Sequence, residues 1–329
     1  MIKNILRYLC IIFCIVGIYA ILINFKNNID SPYPVVTQME LTANETMQPV
    51  ESLELTSGNT IVDYGEEVNS HLFPDCYYAL FVDDTDNQIY AAKNVHNRMY
   101  PASMTKIMTA IVVTEQIENG SISLEDVVTV QTTFDLSYED VLPTEVIAGC
   151  QITVKDLLYG LMIESNNYFA LILAEYVAGD VASFCDMMNK KAYDIGATNT
   201  HFTNPHGLDE PEHYSSAYDI YLIIKEAHEH SILRTIATFE TYTYTYVNNI
   251  GLTVSEDIEA SNLFYNGYVE LPATYNIEAW KTGTTSGAGH CLVMYLTKND
   301  KTYIAIASTS ESKAVLYDTM VELMCLVGE

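Results

Sequence analysis

At 329 residues and 49% hydrophobic composition, the chain can hold one large domain or two small ones around a buried core, which excludes a disordered protein. Fifteen basic side chains against 43 acidic ones leave a formal charge of −28, which argues against nucleic acid and anionic lipid as partners because phosphate contacts need Lys and Arg. Any anionic substrate needs a local cationic pocket working against this field, so each lysine is worth tracing.

In chain order, Lys3 and Arg7 precede an apolar run from Tyr8 to Phe25, interrupted only by Gly17 and Asn24 and long enough to cross a bilayer. No small-residue cleavage site closes the run, since Ile21, Leu22, Ile23, Asn24 and Phe25 follow. Residues 1–26 are therefore read as an uncleaved transmembrane signal-anchor, with the basic end inside and the remainder extracytoplasmic. Residues 27–70 are polar, acid-rich and interrupted by Pro32, Pro34 and Pro49, and read as a linker. Residues 71–329 then form the folded domain.

That domain opens with a predicted hairpin, strand 76–82 and strand 88–94 around Asp83-Asp84-Thr85-Asp86-Asn87. Met104, Ile107, Met108, Ile111 and Val112 recur at helical spacing, and Asn119-Gly120 ends the helix. Three more helices are expected over 154–163, 167–179 and 181–196, and residues 213–237 extend the helical block. Residues 241–247 alternate with period two; 277–285, 290–297 and 302–309 read as strands, and Lys313 to about Leu326 as a last helix. Two strands before the helices and three after them predict an α+β fold: one antiparallel sheet closed by early and late segments, with the helical block inserted. The five exported cysteines have no C-x-x-C spacing and imply neither a zinc framework nor an even disulfide framework.

Three short motifs bear on chemistry. Ser103 and Lys106 form S-x-x-K on one helical face, where the amine can reach the hydroxyl; serine needs such a base, and the lysine pKa must fall by burial or a nearby cation before it can serve. Alone this is a weak signal, and Ser310-Glu311-Ser312-Lys313 repeats the spacing where a helix cap is the ordinary reading. Ser165-Asn166-Asn167 gives S-x-N between two helices, where capping is again the plain alternative. Lys281-Thr282-Gly283 lies in a predicted strand with Thr284 next. There a lysine supplies positive charge, threonines can hold a carboxylate, and glycine permits an added strand to approach. The order S-x-x-K, S-x-N, K-T-G, each on its expected element, is the strong signal. His228 and His230 read as surface residues, His206 as structural, and Tyr242, Tyr244 and Tyr246 as a sheet face.

With its surroundings (residues 101–106, 165–167, 202–208, 213–219 and 280–293) the set resembles the D-alanyl-D-alanine carboxypeptidases among the low-molecular-mass penicillin-binding proteins, serine peptidase family S11. The resemblance runs from about Cys76 to Leu326. It implies a β-lactamase/transpeptidase-like fold, with a five-stranded antiparallel sheet flanked by helices and an inserted all-helical lobe, a peptidoglycan stem peptide as substrate, β-lactams as covalent inhibitors, and no metal or cofactor. By the same resemblance Ser103 is the acyl-enzyme nucleophile, Lys106 its base, Ser165 a proton relay, and Asn167 the residue that holds the substrate amide. Lys281 lowers the Lys106 pKa and steers the terminal carboxylate, Thr282 and Thr284 donate hydrogen bonds, and the backbone N–H groups of Ser103 and Thr284 form the oxyanion hole. The family's second, all-β domain and amphipathic tail are missing, and the amino-terminal span is expected to replace the tail as anchor. A β-lactamase shares the triplets but needs a water-activating glutamate, and Glu210-Pro211-Glu212 begins such a segment without completing it. A non-catalytic β-lactam-sensing module is the remaining alternative. The motifs do not choose between water and an amine as acceptor.

Overall fold

The computed structural model describes residues 59–137, 141, 144–272 and 275–327, all within one compact unit. The expected membrane anchor and most of the expected linker lie outside the described residues.

The hairpin forms as predicted. Strands β1 (Tyr78–Asp83) and β2 (Gln88–Lys93) are joined by a turn in which Asp83 Oδ1 accepts the N–H groups of Thr85 and Asp86, and Asn87 takes a left-handed φ of 54°. The chain first builds a small second sheet from β3 (Val127–Thr129), β4 (Gln151–Thr153), β5 (Thr241–Val247) and β6 (Thr253–Glu259). It then returns to the main sheet with β7 (Asn276–Thr285), β8 (Gly289–Lys298) and β9 (Lys301–Ser310). The main sheet has the order β2-β1-β9-β8-β7 and is antiparallel throughout. β1 is buried at all six positions because it is flanked by strands on both sides, whereas β7 is left at the edge.

The helices are α1 (Thr105–Glu118), α2 (Val154–Ile163), α3 (Asn167–Ala178), α4 (Val181–Asp194), α5 (Ala217–Glu229), α6 (Ser231–Ala237) and α7 (Lys313–Cys325). Their starts follow from short polar caps: Thr153, Asn166, Asp180, Ser216 and Ser312 each accept a backbone N–H of the helix they open. α5 and α7 pack on the five-stranded sheet, while α1 is surrounded by α2 to α6. That central position explains why α1 is buried from Thr105 to Thr114, all round rather than along one stripe.

Two expectations need correction. The inserted lobe is not all-helical, because the sheet β3-β4-β5-β6 lies within it. β3 and β4 are three residues long, and β6 is mostly polar and exposed; neither length nor pattern marks them, and pairing with the Thr/Tyr row of β5 holds β6 in place. The domain also begins before residue 71. Val62 is only 3% exposed, the Thr60 N–H donates to the Tyr221 hydroxyl at 2.8 Å, and Val68 pairs with Ala92 through two 2.9 Å backbone bonds. The five described cysteines are unpaired, and four of them are buried.

Candidate active site

The chain enters α1 through a 3-10 turn over Ala102–Met104, and Ser103 sits on this turn half-buried. The turn is strained: Ala102 has a φ of 46°, a left-handed value that a side chain disfavours. Two glycines hold it. A Cβ at Gly207, itself at φ 90°, would lie 1.9 Å from the Ala102 carbonyl oxygen. A Cβ at Gly283 would lie 2.9 Å from Ala102 Cβ and 3.1 Å from the Ser103 nitrogen. The glycine of K-T-G thus allows β7 to press against the turn that carries Ser103; the close approach it permits is to that turn.

Lys106, one helical turn on, is 0% exposed. Its Nζ lies 2.8 Å from Ser103 Oγ, 2.6 Å from Asn167 Oδ1 and 2.6 Å from the His206 carbonyl oxygen. The last two can only accept. A neutral amine has two N–H groups and one lone pair, so when both N–H groups go to these acceptors the lone pair is left facing the serine. Burial, and then the charge of Lys281, hold the Lys106 pKa well below the ordinary lysine value. Lys281 is also 0% exposed, and burial lowers it to about 7. Its Nζ donates to the Thr282 carbonyl at 3.3 Å.

The residues predicted from the three motifs come together. Ser103, Ser165 and Thr284 each line both of two clefts that meet at the serine, one of about 620 Å³ and one of about 220 Å³. Asn167 lines the larger, and Thr282 and Gly283 the smaller. Ser165 sits in a left-handed conformation at φ 71°, and its buried hydroxyl has no hydrogen-bond partner among the described residues. Its neighbour Asn166 does the capping, which frees Ser165 and Asn167 from the structural task. Thr282 Oγ1 lies 2.6 Å from Ser261 Oγ; Thr284 Oγ1 lies 3.0 Å from His290 Nδ1 and donates to the Gly283 carbonyl at 2.8 Å. Asp209 fixes the end of β7, accepting from Thr285 Oγ1 at 2.6 Å and from the Gly287 N–H at 2.8 Å.

Several contributors have no side-chain signal in the sequence. His206 acts through its backbone carbonyl, and Ser261 and Lys313 reach the smaller cleft from distant positions. Ser312 caps α7, so the second S-x-x-K is a helix start whose lysine happens to face the cleft. Tyr244 and Tyr246 form a sheet face as expected and also line the larger cleft; Tyr242 is set apart, donating to Asp156 at 2.7 Å. His230 is buried against Glu118 at 2.9 Å and His228 stacks on Tyr295, so neither is the surface residue expected. Glu210 accepts from Asn204 at 3.0 Å and lines neither cleft at Ser103.

Comparison with known proteins places this arrangement. The profile of the family described as D-alanyl-D-alanine carboxypeptidase matches residues 74–311. The chain belongs to that carboxypeptidase family. Its match to carboxypeptidase DacF of Bacillus subtilis is 31% identical over 248 residues, 74% of this chain and 60% of that protein. Carboxypeptidase DacC of Escherichia coli is 31% identical over 249 residues, again 74% of this chain and 59% of the relative. The chain thus spans about three fifths of the length of these relatives. The crystal structure of the Streptomyces K15 DD-transpeptidase superposes with a TM-score of 0.65 at 26% identity, covering 77% of this chain and 96% of that one. The carboxypeptidase match includes all eight motif positions discussed and stops just short of Lys313.

Proposed function

We propose that the protein is a serine-type D-Ala-D-Ala carboxypeptidase that removes the terminal D-alanine from peptidoglycan stem pentapeptides through an acyl-enzyme on Ser103. The observation that carries the reading is Lys106: a buried amine with a depressed pKa, 2.8 Å from Ser103 Oγ, whose two N–H groups have acceptors elsewhere. Such an amine can take the serine proton as Oγ attacks the carbonyl carbon of the penultimate D-alanine. The N–H groups of Ser103 and Thr284 then receive the oxyanion. Collapse breaks the peptide bond, and the departing amine takes the proton from Lys106, with the unpartnered Ser165 hydroxyl as relay. Water, activated by the same lysine, hydrolyses the ester and restores Ser103.

β7 suits the substrate because an edge strand can pair with an extended peptide. Lys281 supplies charge for the terminal carboxylate, with the hydroxyls of Thr282 and Thr284 as donors. Asn167, its Oδ1 held by Lys106, has an amide N–H left for a substrate carbonyl. β-Lactams are read as covalent inhibitors that acylate Ser103. Residues 1–26 are proposed as a single-pass anchor that leaves the catalytic domain extracytoplasmic, on the strength of Lys3 and Arg7 before the apolar run.

The test is D-alanine release from a pentapeptide ending in D-Ala-D-Ala by the full chain in detergent. Release by the wild type and none by Ser103→Ala supports the reading; equal release by both, or none by either, contradicts it.

A further inference from the structure

The far end of α1 carries a second cluster of titratable side chains. Glu115 and Glu118 come from its last turn, Lys191 from α4, Glu226 from α5, and His230 from the junction of α5 with α6. About 14 Å of helix separates Glu115 from Lys106, so the cluster is distinct from the site at Ser103. The imidazole of His230 is its least satisfied member. The residue is 7% exposed, and its Nδ1 lies 2.9 Å from Glu118 Oε2. A carboxylate can only accept, so Nδ1 is the donor and carries the ring proton. Nε2 is buried without a hydrogen-bond partner among the described residues, and it faces Glu226 Oε1 at 4.0 Å, beyond hydrogen-bond reach. In the neutral ring that nitrogen turns a lone pair toward carboxylate oxygens, which repel it unless a cation stands between them. One ring nitrogen oriented by a carboxylate, with the other left free as a donor of electrons, is how proteins hold a metal-binding histidine.

Glu115, Glu226 and His230 each offer one ligand atom, and these atoms lie within 4.8 Å of one another. The Lys191 ammonium stands between the two carboxylates, 2.8 Å from Glu115 Oε1 and bonded to Glu226 Oε1. The cluster therefore already holds a cation, one that a flexible four-carbon stem lets withdraw. We propose that Glu115, Glu226 and His230 form a site for one divalent transition-metal ion of the zinc type, which takes the place of the Lys191 ammonium, with Glu118 as the outer partner of the histidine. An imidazole with two carboxylates suits zinc, whereas magnesium and calcium take oxygen ligands throughout. Bonds of about 2.0–2.2 Å bring tetrahedral ligand atoms to about 3.4 Å apart, so the two glutamates close in by about 1 Å as the lysine leaves. Both glutamates are partly exposed, which gives the ion a way in and leaves its fourth position to water. The ion pins the ends of α1 and α5 to the start of α6. Being remote from Ser103, it takes no part in acyl transfer, and the site is independent of the carboxypeptidase reading.

The experiment titrates zinc chloride into the chelator-stripped full chain in detergent, followed by calorimetry, and melts the same samples with zinc, with magnesium and with neither. The wild type is expected to take up zinc with an affinity that falls at least about tenfold in His230→Gln and in Glu226→Gln, and about tenfold in Glu118→Gln, which keeps every ligand and weakens only the outer partner. Zinc should raise the melting temperature of the wild type, and magnesium should not. Lys191→Met keeps all three ligands and removes the competing ammonium, so it is expected to bind zinc at least about threefold more tightly than the wild type. No zinc uptake by the wild type overturns the site. Equal affinity in the wild type and His230→Gln means that zinc binds elsewhere on the chain, and overturns it too. Should His230→Gln fail to show a cooperative melt, Lys191→Met decides: tighter binding supports the exchange of lysine for metal, and unchanged or weaker binding removes it.

Discussion

Lys106 and Lys281 show what burying cations does at this site. Neither amine touches a carboxylate among the described residues, and burial lowers both pKa values. For Lys106 the charge of Lys281 adds to that effect, so removing Lys281 should raise the Lys106 pKa and delay its deprotonation. Acylation by penicillin, followed against pH, is expected to rise with pH in the wild type; in Lys281→Met the rise moves to higher pH by about one unit or more, and in Lys281→Arg it stays in place. An unshifted profile in Lys281→Met would remove Lys281 as a tuning charge. The same lysine should cost stability. Its folded-state pKa of about 7 lies below the ordinary 10.5, so between these values the unfolded chain holds a proton that the folded one lacks. The stability linked to this site therefore rises with pH across that window. Lys281→Met is expected to be more stable by about 1–3 kcal/mol at pH 7, with the gap closing toward pH 10, as read by denaturant unfolding. A gap that widens with pH would contradict the assignment.

At the scale of elements, the turn that carries Ser103 depends on two close approaches. Gly207→Ala combines a φ of 90° with a Cβ placed 1.9 Å from a backbone oxygen, and should destabilise by about 2 kcal/mol or more. Gly283→Ala meets a side-chain carbon at 2.9 Å and the Ser103 nitrogen at 3.1 Å, so it should displace the turn and slow acylation about tenfold or more with a smaller loss of stability. Comparing melting with acylation rate separates the two effects. Elements with a strong period or a clear punctuation were legible in the sequence: the hairpin at Asp83–Asn87, the helices capped by Asp180 and Ser216, and the three late strands. β3, β4 and β6 were not, because three-residue strands have no period and β6 takes its conformation from its partner. The motif side chains were legible through order and context. The His206 carbonyl was not, since any residue carries one, and Lys313 faces the cleft only because α7 packs beside β8 and β9.

At the scale of the whole molecule, the net charge of −28 makes the buried lysine pair and Lys313 the local exception that the proposed anionic peptide end would need. Residues 59–70 belong to the domain, since Thr60 and Val62 pack against it and Val68 pairs with β2. A chain starting at residue 59 is expected to melt like the domain in the full protein. One starting at residue 71 loses that buried surface and should melt several degrees lower. Equal melting would return this stretch to the linker. The boundary was hard to read because residues 59–70 are as polar and acidic as the stretch that precedes them, with only Val62 and Val68 as apolar anchors.

The most direct test of Ser103 as a nucleophile activated by Lys106 is intact mass spectrometry of the full chain after incubation with penicillin, with proteolysis to locate the addition. The account expects one adduct, of the mass of the whole β-lactam, on the peptide that contains Ser103, absent in Ser103→Ala and formed far more slowly in Lys106→Met. An adduct that persists in Ser103→Ala, or forms equally fast without Lys106, would contradict it.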